Sequence, residues 1–120
     1  MSPRLAWGLA LGWMALIAAV SHQSTLQGPL TASGLPLADK LEHLAEFAVL
    51  GALLCNAVSL HHPLPGVTPA MFVLALGACY GALDELHQLL VPDRSMELGD
   101  WLADVVGVAL GSYAVDRWQR

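Results

Sequence analysis

Asp39, His43 and Glu46 are spaced i, i+4 and i+7, so one face of a helix would carry two carboxylates and an imidazole. Further on, the stretch "DELHQLLVPDRSMELGDWLAD" supplies Asp84, Glu85, Gln88, Arg94, Asp100 and Asp104 within residues 84–104. Carboxylates are ligands for divalent cations. A carboxylate in apolar surroundings can also act as a general base. Lys40, Arg94 and His43 could hold phosphate oxygens, with a divalent metal bridging to them from the carboxylates.

Each of these residues also has a plainer use. Asp39 could cap a helix, with Glu42 three residues later completing a capping-box-like pair. His43 could simply pair with Glu46 at i+3. Arg94 could be an ordinary counter-charge for Asp100 and Asp104. His87 lies at the edge of its polar stripe and is expected to face solvent. Glu42, Asp93 and Glu97 read as solvated loop acids, and the two histidines of "HHPLPG" (residues 61–66) read as a solvated turn.

The elements that must position these groups are greasy. Only 12% of the 120 residues are charged, 56% are hydrophobic, and mean hydropathy is +0.57. Soluble domains carry about 25% charged residues, and a fold this small could not hide so much apolar surface from water. Four apolar stretches, about residues 5–20, 44–60, 67–83 and 101–115, are broken only by Glu46 and Asp104. They predict an all-α bundle of four transmembrane helices in a single domain, spanning about 5–22, 40–60, 67–90 and 97–116. The first has the Arg4-plus-apolar form of a signal peptide and is read as a retained helix. Lone carboxylates are costly at lipid depth, so Glu46 and Asp104 should face the bundle interior.

Pairs of glycines four apart (Gly8 and Gly12, Gly77 and Gly81, Gly107 and Gly111) predict close helix approach. "VPDRS" should end the third helix before Pro92, with Ser95 as a candidate cap for the fourth. Cys55 and Cys79 each lie alone in an apolar run and read as small core residues. An even number of spans puts both termini on one side. Arg4, Arg117 and Arg120 flank the termini against Lys40 and Arg94 on the other side, which predicts cytoplasmic termini. Trp7 and Trp118 would then mark the inner interface and Trp101 the outer one.

This topology gathers the start of helix two, the end of helix three and the start of helix four at one membrane face. Nine acids meet there, and with Lys40 and Arg94 they leave a formal −7, more than the whole chain's −5. Such a cluster at a bundle mouth is the mark of a site for an ion, a proton or a polar ligand.

Two segments resemble the VanZ-like family of small bacterial membrane proteins. In "DKLEHLAEFAVLGALL", Asp39, Lys40, His43, Glu46, Phe47 and Gly51 match the family's pattern, with Phe47 at a position that is frequently tyrosine. In "DELHQLLVPDRSMELGDWLADVVGVALG", Glu85, Gln88, Arg94, Asp100, Gly107 and Gly111 match, with Asp104 at a position that is usually asparagine. The resemblance implies a multi-pass protein of the bacterial cytoplasmic membrane. It also implies a family whose founding member is linked to resistance against the glycopeptide teicoplanin.

Three functions fit these observations. The first is a binding module whose outward-facing cluster (Asp39, Lys40, His43, Glu46, Asp84, Glu85, Gln88, Arg94, Asp100, Asp104) takes a cation or a polar lipid-linked headgroup. The second is an accessory subunit or assembly factor of a larger membrane complex, locked together by the same groups. The third is a membrane enzyme on a lipid-linked substrate, with Glu46 or Glu85 as general base, although no HExxH or GxSxG names a reaction. The expected partners are membrane lipids, lipid-linked envelope intermediates or other membrane subunits, with no nucleic acid. The sequence names no cofactor, and a divalent metal is one that the carboxylates could hold.

Overall fold

The computed structural model describes residues 1–22, 34, 37–61 and 65–120. Among these residues the secondary structure is all α: α1 (Pro3–Ser21), α2 (Ala38–Ser59), α3 (Pro69–Gln88) and α4 (Leu98–Gln119). Each helix is long and apolar enough to cross a membrane. The long axis of 43 Å matches a bilayer with its headgroups, about 40–45 Å. The chain is a multi-pass membrane protein.

Local chemistry sets the helix starts. Ser2 caps α1 by accepting from the Leu5 N–H at 3.3 Å, and Thr68 caps α3 by accepting from the Met71 N–H at 3.2 Å. Each helix then opens on a proline, whose missing N–H costs nothing in the first turn. The other two starts correct the sequence reading. Leu37, in the left-handed region at φ 57°, precedes α2, and Asp39 lies inside the first turn with its carboxylate turned to Lys40. The cap position of α4 is Glu97, not Ser95, and it makes no side-chain cap bond.

The tightest seam joins α2 and α4, and glycines make it. A Cβ on Gly107 would lie 3.0 Å from the Ala48 backbone nitrogen, and one on Gly111 would lie 2.8 Å from the Ala48 carbonyl carbon. From the other side, a Cβ on Gly51 would lie 2.8 Å from the Val108 Cα. The two backbones therefore touch, as small residues permit between membrane helices. Gly77 and Gly81 of α3 accommodate side chains of α4: the Val108 methyls at Gly77 and the Asp104 carboxylate at Gly81. Gly8 and Gly12 depart from expectation, because a Cβ on either would meet nothing within 4 Å. That pair faces outward and mediates no close approach.

Phe47, Leu50, Leu54, Cys55, Val73 and Val108 form the buried centre. Cys79 does not join it. This cysteine is exposed on α3, contrary to the core reading, because its helical position points away from the other three helices. α1 is tied on by polar contacts to backbone carbonyls. Trp13 Nε1 donates to the Glu46 oxygen at 2.9 Å, and Tyr80 Oη donates to the Met14 oxygen at 2.5 Å.

Trp7 Nε1 donates to His61 Nδ1 at 3.1 Å, and Gln119 Nε2 donates to Asn56 Oδ1 at 3.2 Å, so both termini share one end of the bundle. Of the "HHPLPG" turn, residues 62–64 lie outside the described residues. At the opposite end Trp101 is not a simple interface marker. Its indole turns inward and donates to the Ala78 oxygen of α3 at 2.9 Å.

Candidate functional site

The antiparallel order brings the end of α1, the start of α2, the end of α3 and the start of α4 to one end of the bundle, opposite the termini. Two clusters of side chains lie there.

The first is built around Lys40. Its ammonium lies 2.7 Å from Asp39 Oδ2, 2.6 Å from Glu97 Oε2 and 2.6 Å from Asp100 Oδ1. It hydrogen-bonds Asp39 and Glu97 and holds Asp100 as an ion pair, so its charge is shared among three carboxylates. The chain reaches its partners across Gly99, where a Cβ would stand 3.0 Å from Lys40 Cε. Glu97 is exposed just before α4, as the sequence suggested for a loop acid, but it is more than solvated. It pairs with Lys40, and its backbone N–H donates to Glu85 Oε2 at 3.1 Å, which joins this cluster to the next.

The second cluster lies deeper, between α2, α3 and α4. His43 Nδ1 is 2.8 Å from Asp104 Oδ1, and its Nε2 is 3.6 Å from Asp100 Oδ2. The histidine thus bridges two aspartates of α4 one turn apart and does not rest on Glu46. Asp104 is 0% exposed and Glu85 is 3% exposed. Gly81 leaves room for the Asp104 carboxylate beside Phe47. Three enclosed oxygens, Glu85 Oε1, Asp104 Oδ2 and Asp100 Oδ1, have no hydrogen-bond partner among the described residues, and of these Asp100 Oδ1 alone has a cation beside it, the Lys40 ammonium at 2.6 Å. One ligand atom from each of His43, Glu85 and Asp104 falls within 4.8 Å of the others. At that separation two ionised carboxylates repel by roughly 3–4 kcal/mol at an effective dielectric near 20.

A third set runs along the rim. Arg94 Nε donates to Gln88 Oε1 at 2.7 Å, and Gln88 Nε2 in turn donates to Ser21 Oγ at the end of α1. Asp84 is buried next to Glu85 on α3, while Glu46 is half-buried on α2, less enclosed than Asp104. Asp93 is exposed in the turn, in a left-handed conformation that aspartate tolerates. His87 is half-buried rather than free in solvent, stacked on His22 with ring centroids 5.2 Å apart.

All ten candidate residues thus fall at one end of the bundle, but in different roles. Asp39, Lys40 and Asp100 form a paired network, Gln88 and Arg94 a rim, and His43, Glu85 and Asp104 a set of donors with oxygens to spare. Ser21, Glu97 and Gly99 complete these networks. Ser21 gave no signal in the sequence, whereas the Glu97–Asp100 spacing of i, i+3 could have pointed to a shared face.

A family model described as VanZ/LLP1 matches residues 6–118, nearly the whole chain. No curated protein and no solved structure matches it.

Proposed function

The chain belongs to the VanZ/LLP1 family, and from that premise we propose that it is a multi-pass protein of the bacterial cytoplasmic membrane whose polar cluster captures a cation at the outer end of the bundle. The oxygens of a polar or lipid-linked headgroup would complete the cation's shell. The observation that carries this reading is the pair of enclosed, unpartnered carboxylate oxygens, Glu85 Oε1 and Asp104 Oδ2. Burying such atoms without a partner costs several kcal/mol by the usual order of magnitude, and a shared positive charge removes that cost. Lys40 already plays this part for Asp39, Glu97 and Asp100. Its commitment there also favours a cation over a bare phosphate as the primary ligand.

The Lys40 network supports a second role for its own half of the cluster. Fully paired, it locks the starts of α2 and α4 together, as a subunit or assembly factor would need. Binding and locking can coexist because they use different residues.

The test is the melting temperature of the detergent-solubilised protein with Mg²⁺, Mn²⁺, Zn²⁺, EDTA or a polyprenyl phosphate. A ligand that binds only the folded state raises the melting temperature with its concentration. The binding reading expects at least one cation to do so. If nothing shifts the wild type and Lys40→Met is merely less stable, the locking role alone stands.

A further inference from the structure

We infer that His43, Glu85 and Asp104 form a three-ligand site for a first-row transition-metal ion, with Asp100 as the group that orients the histidine. The inference rests on the cation-binding reading above and names the ion class and its ligands.

Three observations converge. The first is proximity: one donor atom from each residue lies within 4.8 Å of the other two. The second is unused capacity, since the enclosed Glu85 Oε1 and Asp104 Oδ2 lack hydrogen-bond partners among the described residues. The neighbouring acidic trio of Asp39, Glu97 and Asp100 has comparable spacing, but the Lys40 ammonium already sits among its oxygens. The two trios are alike in ligand count and differ in that one carries its own cation. The third is orientation. Metal-ligating histidines donate their other ring N–H to a carboxylate. His43 presents Nδ1 to Asp104 at 2.8 Å and Nε2 to Asp100 Oδ2 at 3.6 Å, and Asp100 is itself fixed by Lys40 at 2.6 Å. The order Lys40, Asp100, His43, metal, Asp104 thus has the sequence of a carboxylate–histidine–metal arrangement, with Asp100 at ion-pair distance from the imidazole and drawn into a hydrogen bond once the ring is fixed by a metal.

Ligand chemistry selects the ion. Ca²⁺ and Mg²⁺ take oxygen shells. An imidazole with two carboxylates suits Mn²⁺, Fe²⁺, Co²⁺ or Zn²⁺. Three protein ligands leave positions for water or a headgroup oxygen, as in sites where the metal acts on something that it binds.

The experiment adds Co²⁺ and Mn²⁺ to metal-stripped, detergent-solubilised full-length protein. It reads the Co²⁺ ligand-field absorption, the Mn²⁺ paramagnetic resonance and the bound metal per chain. The expected result is one ion per chain, with Mg²⁺ and Ca²⁺ competing poorly. Glu85→Gln, Asp104→Asn and His43→Gln should each abolish the signal. Asp100→Asn, which leaves every ligand in place, should weaken affinity by about 10–100-fold. Circular dichroism and size-exclusion profiles identify any variant that fails to fold, and Asp100→Asn keeps the test alive if a ligand variant does fail. If Mg²⁺ or Ca²⁺ binds as tightly and His43→Gln changes nothing, the transition-metal site is overturned while cation binding stands. If no cation binds, both fall, and a proton shared between Glu85 and Asp104 accounts for the pair.

Discussion

His43 on α2 and Asp104 on α4 face each other across the closest helix seam in the molecule, with Nδ1 2.8 Å from a carboxylate oxygen that solvent does not reach. Removing one partner of such a buried pair leaves the other uncompensated, at a cost of about 3–5 kcal/mol. His43→Ala should therefore destabilise the protein by that order in reversible unfolding from detergent. The double variant His43→Ala/Asp104→Ala should lose clearly less than the two single losses combined. Strict additivity in this cycle would mean that the two side chains do not act as a pair.

The glycines should separate into two classes. Gly111→Ala drives a methyl into the Ala48 carbonyl group and has no flexible neighbour to displace, so about 1–3 kcal/mol of stability should be lost. Gly8→Ala meets open space and should be neutral or stabilising by up to about 1 kcal/mol, the helix-propensity difference. Thermal melts of the two variants side by side check this, and equal losses would contradict the assignment of α2 and α4 as the tight pair.

Two lysine and arginine contacts should also behave differently. Arg120 pairs with Asp116 at i, i+4 with its side chain 62% exposed, a contact worth about 0.3–0.5 kcal/mol. Lys40 bridges three carboxylates from two helices. Lys40→Met should lower the melting temperature well beyond Arg120→Ala, and added divalent cation should recover part of the loss by replacing the missing charge. A Lys40→Met variant as stable as Arg120→Ala would remove the locking role.

The sequence carried the existence of the four helices plainly, because each must supply about 20 apolar residues to cross lipid. It also carried the gathering of polar groups at one end, since short antiparallel connections leave no other arrangement. It did not carry the register between helices. Spacing along α2 put Glu46 beside His43, yet the histidine turns to Asp104 and Asp100, because the glycines at 107 and 111 let the α4 backbone press directly against that of α2. Gly8 and Gly12 show the converse: the same spacing as at Gly107 and Gly111, with nothing packed against it. Lys40 read as a possible phosphate ligand because two of its three partners, Glu97 and Asp100, lie at the start of a different helix whose phase no local pattern fixes. Asp39 and Ser95 had the composition of caps but not the position, since capping depends on where the chain leaves the extended conformation.

Orientation is the fourth expectation. The terminal arginines predict cytoplasmic ends, so a cysteine at His61 should react with a membrane-impermeant maleimide only after the inner face is opened. One at Leu37, 71% exposed at the start of α2, should react in intact cells. Ser33 would serve equally but lies outside the described residues. The native Cys79 is replaced by serine in both variants. The reverse pattern would place the polar cluster on the cytoplasmic side.

Whether the buried carboxylates of α3 and α4 hold a cation is read most directly from a crystal structure grown with Mn²⁺ and recorded at the manganese absorption edge. A bound cation gives a single anomalous peak within coordinating distance of Glu85 Oε1, Asp104 Oδ2 and His43, absent from crystals of Asp104→Asn. Well-ordered density with no peak there, and the two carboxylates in direct contact through a shared proton, would contradict cation binding.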